Sequence, residues 1–215
     1  MHERGPSMSA PTAYRGSITR EQWLVDETRT VARLRLEDRA FLDTKALAAH
    51  ILENNLFQYP TEREVGSIAR ACARRLDALS TDPERRARLT RLIAHGTIEQ
   101  LRQANFYALM CDNRLVWDFM TCVVESKFSL LDMHLGKAEI ATFLEGLRAQ
   151  DERVATWSPA TLNKIRQVLA QCLEQCGMYE RKTEQLSTLL LDYDPENLIR
   201  ENGDAGILPA FGLAL

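Results

Sequence analysis

Apolar residues recur along most of this chain at helical spacing. From Thr61 onward, Val65, Ile68, Ala69, Cys72, Leu76 and Leu79 fall on one stripe, and Thr61 with Glu64 has the form of a capping box just after the stop imposed by Pro60. A helix over 61–79 is the clearest element in the pattern. Upstream, Ile18 and Thr19 read as the opening of a helix that runs to about Arg39, with Thr19 as N-cap, Gln22 as its box partner and Ile18 stapled to Trp23. Trp23, Leu24, Val31 and Leu34 point inward on it, while Asp26, Arg29, Arg33 and Glu37 form a solvated ladder of charges. Asp43 or Thr44 then caps a shorter helix that carries Leu47 and Ile51 and ends around Glu53-Asn54-Asn55.

Asp82-Pro83 starts the basic segment PERRARLTRLIAH, with Gly96 as its C′ residue, and Thr97 with Gln100 caps the next helix. The run RLVWDFMTCVVESKF keeps little polar face, with Val116, Phe119, Met120, Val123 and Phe128, and is expected to be the most buried element. A helix follows over about 137–149, and Ser158-Pro159 opens another with Leu162, Ile165, Leu169, Cys172 and Cys176 inward; Gly177 fits its C′ position and Met178 reaches back to Leu173. LSTLLLDY is the only stretch with strand character, and Asp194-Pro195 caps a last helical turn.

The fold class is therefore all-α or nearly so: two small helical lobes with helix-turn-helix-like units and room for one short β-hairpin near the C-terminus. Residues 1–16 form a flexible N-terminus, 17–110 an N-terminal helical lobe with the basic helix-turn-helix-like unit, 111–202 a central and C-terminal lobe, and 203–215 an apolar tail. Gly206, Pro209 and Gly212 disfavour a regular helix in that tail, so Ile207, Leu208, Phe211, Leu213 and Leu215 are expected to lie extended in a groove, on the same chain sooner than on a partner.

Composition narrows the class further. Only 10 Gly and 7 Pro among 215 residues supply few turns for a strand-rich fold. The longest apolar stretch, Leu115 to Val124, is interrupted by Asp118 and falls short of the roughly 18–20 residues that span a bilayer. With no apolar core in MHERGPSMSAPTAYRG, a secretory signal is not expected either, and the cytoplasm is the expected location. Five cysteines, all on helical apolar patterns, read as reduced core thiols. The net charge of −3 is uneven: residues 1–103 hold 17 Lys+Arg against 14 Asp+Glu, and residues 104–215 hold 10 against 16. That imbalance directs an anion site to the first half.

There the outer face of the 61–79 helix carries Arg63, Ser67, Arg70 and Arg74, spaced 4, 3 and 4 apart. At 100° per residue they fall within roughly 60° of one another, opposite the apolar stripe. A short helix, a turn and a capped helix with an exposed Arg/Ser face is an arrangement that reaches into a major groove and its flanking phosphates. Arg85, Arg86 and Arg88 extend the positive surface. The plainer reading is a solubilising face, since this chain uses 22 Arg to 5 Lys throughout. The turn NNLFQYP is also longer than that of a standard helix-turn-helix and holds no glycine. A second candidate is the helix from Ser158, whose outer face offers Asn163, Lys164, Gln167 and Gln171; amides read base edges, though they are ordinary surface residues too. Catalytic readings find little support. His50 and His95 have no sequence-local partner, Cys172 and Cys176 lie on an apolar stripe with no second pair, and no Walker A, H-E-x-x-H or G-x-S-x-G pattern occurs. No catalytic residue, metal or cofactor is expected.

The run LAAHILENNLFQYPTEREVGSIARACARRL, followed by WSPATLNKIRQVLAQCLEQCGM, resembles the BrxA family, the small helical component of bacteriophage-exclusion (BREX) defence systems. The likeness covers roughly residues 17–200. It implies an all-α fold, binding to double-stranded DNA, no enzymatic activity, and work alongside the system's methyltransferase and ATPase. A helical adaptor that docks other subunits without touching DNA is the alternative. RNA is disfavoured because no aromatic single-strand platform is visible. The oligomeric state stays open, with a monomer favoured.

Overall fold

The computed structural model describes residues 11–213. A short 3-10 helix at Gly16–Thr19 precedes α1 (Val25–Glu37), and a second at Arg39–Leu42 leads into α2 (Thr44–Glu53). Then come α3 (Glu62–Ala78), α4 (Pro83–His95), α5 (Ile98–Asp112) and α6 (Arg114–Asp118), which passes through a π-helical stretch at Phe119–Val124 into α7 (Glu125–Ser129). The remaining elements are α8 (Lys137–Gln150), α9 (Glu152–Ala155), α10 (Pro159–Cys176), strands β1 (Tyr179–Glu180) and β2 (Gln185–Leu186), α11 (Tyr193–Glu201) and a 3-10 helix at Ala205–Phe211. The all-α class with one small hairpin is the observed one.

Capping residues set most of these boundaries. Asp43, Thr61, Asp82 and Ser158 each accept from a backbone N–H three residues on, at 2.7, 3.2, 2.8 and 3.2 Å. Thr97 and Gln100 form the reciprocal capping box at the start of α5. Gly177 ends α10 in the left-handed region, and Met178 N donates to Leu173 O at 2.8 Å, closing the Schellman turn.

The start of α1 differs from the sequence expectation. Thr19 closes a 3-10 turn, with its hydroxyl on Gly16 O, and the helix begins only after Leu24, whose φ is 48°. Buried Arg75 supplies the reason: its guanidinium donates to the carbonyls of Glu21, Gln22 and Trp23, and Asn105 Nδ2 adds a 3.0 Å bond to Trp23 O. Carbonyls engaged this way cannot serve a helix starting at Thr19. Asp26, Arg33 and Glu37 stay exposed as expected and Arg29 is half-buried, while Arg29 and Arg33 each direct Nε to Ala94 O, at 3.3 and 3.0 Å, at the C-terminal end of α4.

One contiguous core runs from Tyr14 and Ile18 to Phe211. Its most buried helix is α5, with Leu101, Ala104 and Phe106 through Asp112 inside, and not the 114–129 segment, where Cys122 and Ser126 face solvent. Polar residues hid this in the sequence. Gln103 bonds Leu190 O and Asp192 N, Asp112 pairs with arginines, and Asn105 Nδ2 bonds Trp23 O while its Oδ1 has no partner, so most of this polarity is satisfied inside the core. Four cysteines are buried as expected, but Cys122 is exposed. Strand pairing reaches only the first residue of LSTLLLDY, joining Tyr179 to Leu186 and Glu180 to Gln185. The last α-helix starts two residues before Pro195, after Asp192. The apolar tail packs on its own chain as a 3-10 helix with Ile207, Leu208 and Phe211 buried, the helical form accommodating Pro209; Leu215 lies outside the described residues.

Candidate nucleic-acid interface

Helix α3 packs Val65, Ile68, Ala69, Cys72 and Leu76 inward against α1, α2 and α5, which turns Arg63, Ser67 and Arg70 to solvent. Arg74 departs from that stripe. Its Nε lies 2.8 Å from Asp112 Oδ1 and its Nη2 2.6 Å from Glu21 Oε2, so it clamps the end of α5 to the segment before α1. Burial pushes the Asp112 carboxyl upward in pKa, but the guanidinium groups of Arg74 and Arg15 outweigh that and hold it below the ordinary carboxylate range. A helical wheel cannot anticipate this, because Asp112 is 38 residues away and on another helix.

Between α3, the 19–27 segment and the end of α10 lies a groove of 690 Å³. It brings Arg63 and Ser67 together with Gln171 and Gln175, so the two faces singled out in the sequence border one depression. Its charge is mixed. Arg20 and Arg63 face Asp26, Glu27 and Glu64, and Tyr59 donates to Glu27 Oε1 at 2.6 Å. Burial, then the Glu27 hydrogen bond, raises the Tyr59 phenol well above its usual pKa.

On α4 the basic residues face α11. Arg85 donates to Glu201 O at 2.6 Å, Arg88 pairs with the Glu201 carboxylate at 2.6 Å, and Arg86 is half-buried. Arg85 and Arg88 are therefore already engaged within the chain.

Helix α10 presents a cleaner polar face. Ile165, Val168, Leu169, Cys172 and Leu173 hold it to the body, leaving Asn163 and Gln167 exposed and Lys164 half-exposed. Arg166 Nη2 donates to Asn163 Oδ1 at 2.6 Å and so fixes that amide. The hairpin follows directly after the Gly177 turn and is braced by Leu135 N on Glu184 O at 2.8 Å and Leu186 N on Met133 O at 2.6 Å. Lys137 at the start of α8 and Arg181 in the hairpin turn stand beside this face. Both were missed in the sequence, where the surplus of acid over residues 104–215 concealed a local cluster of cations.

The fold and this surface define a class: an all-α protein whose candidate site is an exposed, amide-bearing helix edged by cations. No group of His, Cys, Asp and Glu among the described residues is placed to hold a metal ion, and no helix among them is long and apolar enough to cross a membrane. Within that class the chain belongs to the BrxA family, whose model matches residues 12–203. It is 31% identical over 155 residues to "BREX protein BrxA" of Bacillus cereus (strain H3081.97), covering 71% of this chain and 74% of that protein. The crystal structure of an uncharacterized protein from Magnetospirillum magneticum has the same fold, with a TM-score of 0.78 at 21% identity over 93% of this chain and 98% of the other.

Proposed function

We propose that this chain is a non-catalytic, double-stranded-DNA-binding component of a BREX phage-defence system, acting in the cytoplasm beside that system's methyltransferase and ATPase. Membership of the BrxA family and the name of the Bacillus cereus relative support the place in BREX. The observation that carries the DNA reading is the face of α10. Asn163 and Gln167 stand outward one helical turn apart with Lys164 beside them, and a hairpin follows the helix. Amides at that spacing suit base edges in a major groove, and the lysine suits a phosphate. Arg63, Ser67 and Arg70 on α3 supply further backbone contacts. The test is a gel-shift titration of the purified chain with duplex DNA at two salt concentrations. Three phosphate contacts give a slope of log K against log[salt] of about −2.7. Lys164→Glu with Gln167→Ala should weaken the shift at least tenfold without altering the melting temperature.

A second reading has its own support. The mixed-charge groove between α3 and α10, with three carboxylates among its cations, suits a protein segment better than a polyanion. On that reading the chain is a helical adaptor within the complex, and no duplex shift appears even at low salt.

A further inference from the structure

A second cavity, of 340 Å³, lies between the start of α8, the middle of α10 and the hairpin. Lys137, Arg166 and Arg181 line it, one from each of those three elements, and no carboxylate does. Like charges gathered on one concave surface repel one another, so the arrangement favours an anion that joins them. Their other engagements are weak. Arg166 donates to the neutral amide of Asn163 at 2.6 Å. Arg181 pairs with Glu174 at 2.9 Å where both side chains are more than 40% exposed, a setting in which water screens most of the attraction. Lys137 has no ion-pair partner among the described residues.

The rest of the wall is different in kind. Ile140, Ala170 and Tyr179 line it, and the Tyr179 hydroxyl is spent on Leu135 O at 2.9 Å, which leaves the ring as apolar surface. Cations beside an apolar wall, in a volume within the roughly 300–1,000 Å³ of small-ligand pockets, match a phosphate joined to a less polar group. We propose that this cavity binds a phosphate ester, the phosphate on Lys137, Arg166 and Arg181 and the esterified group against Ile140, Ala170 and Tyr179. A free nucleotide and the DNA backbone both carry that chemistry. The site is separate from the α3 face but shares a wall with the amide face of α10, since Gln167 lines it and Arg166 holds Asn163. Its duplex arm therefore rests on the reading above, whereas binding of ADP and its loss in Lys137→Gln do not.

Calorimetric titration of the full chain with ADP, and separately with a short DNA duplex, at low salt tests this. The variant is Arg166→Gln with Arg181→Gln; Lys137→Gln, at an exposed position, serves as a second one that removes a single cation. Expected is at least a tenfold loss of affinity in the double variant, and a several-fold loss in Lys137→Gln, with the melting temperature unchanged. Loss confined to ADP identifies a free ester as the ligand. If the wild type ignores ADP and duplex affinity falls in Lys137→Gln as well as in the double variant, the ester is that of the backbone; a duplex loss confined to the double variant, whose Arg166 orients Asn163, overturns the cavity as the site. The proposal is overturned if the wild type binds neither probe, or if both variants bind as the wild type does.

Discussion

Arg74 closes on Asp112 with two hydrogen bonds, 2.8 Å from Nε to Oδ1 and 3.0 Å from Nη2 to Oδ2, and the carboxylate that receives them is 4% exposed. Arg15 reaches the same carboxylate at 2.8 Å, so one buried anion ties the N-terminal segment, α3 and α5 together. Removing either cation leaves Asp112 less compensated in a site that water barely reaches.

Arg74→Ala should therefore destabilise the fold, whereas Arg70→Glu should not. Arg74 is itself 36% exposed, which lets solvent offset part of the loss, so the expected cost is about 1–3 kcal/mol against less than about 0.5 for Arg70. Urea unfolding of the two variants measures this; equal midpoints would show that the clamp contributes nothing.

The same carboxylate predicts a pH dependence. Its folded pKa lies below the unfolded value of about 3.9. Its contribution is thus complete above the unfolded pKa and is lost as pH falls through the lower folded value. Asp112→Asn should lower stability at pH 7 and flatten the acid limb as pH falls below the ordinary carboxylate range, since one group that binds protons on unfolding is gone. Parallel acid limbs in wild type and variant would assign the acid sensitivity elsewhere.

Helix capping and apolar periodicity were legible in the sequence because both act over three or four residues. Thr61, Asp82, Thr97, Ser158 and Gly177 all do what their local chemistry indicates. What the sequence concealed was long-range. Arg74 and Arg75 are neighbours of one charge, yet one pairs with Asp112 while the other is wholly buried among the carbonyls that redirect the chain before α1. Arg85 and Arg88 read as free surface until α11 returns Glu201 to them. Lys137 and Arg181 are 44 residues apart in number and adjacent only after folding. Short-range rules thus located the helices, and the partners of the charges came from the tertiary structure.

Thiol chemistry separates the five cysteines. Burial pushes the Cys72 thiol up to about 11 and Cys172 up to about 12, and it raises Cys176 further, so these groups stay protonated and shielded. Cys111 is buried and Cys122 is exposed on the π-helical stretch. Native protein should show one fast-reacting thiol, abolished by Cys122→Ser, and four that react only on unfolding. Cys72→Ser should cost about 1–3 kcal/mol by placing a shorter, more polar group in a fully buried site whose polar neighbour is the Thr28 hydroxyl, 3.5 Å from the Cys72 sulfur. Two or more fast thiols would contradict the packing of α3, α5 or α10.

The C-terminal tail is held by polar and apolar contacts at once, and two variants resolve them. Tyr107 donates its hydroxyl to Asp204 at 2.6 Å, while Asn202 Nδ2 bonds the Tyr107 oxygen at 2.7 Å and Leu79 O at 2.8 Å, all within the interior. Beyond that network Ile207, Leu208 and Phe211 enter the core, and the Phe211 ring meets Phe106 edge-on with centroids 6.2 Å apart. Tyr107→Phe removes a donor from buried Asp204 and should cost about 1–3 kcal/mol. Phe211→Ala empties a packed site and should cost about 3–5 kcal/mol, a large share of the roughly 5–15 that stabilise a typical domain. Deleting residues 204–215 should exceed both, because three large apolar side chains at about 1.5–3 kcal/mol each leave the core together. Thermal melts rank the three, and light scattering reads the mass of the Phe211→Ala protein. A melting temperature unchanged by Phe211→Ala, with loss of an oligomer, would place the tail on a partner instead of on its own chain.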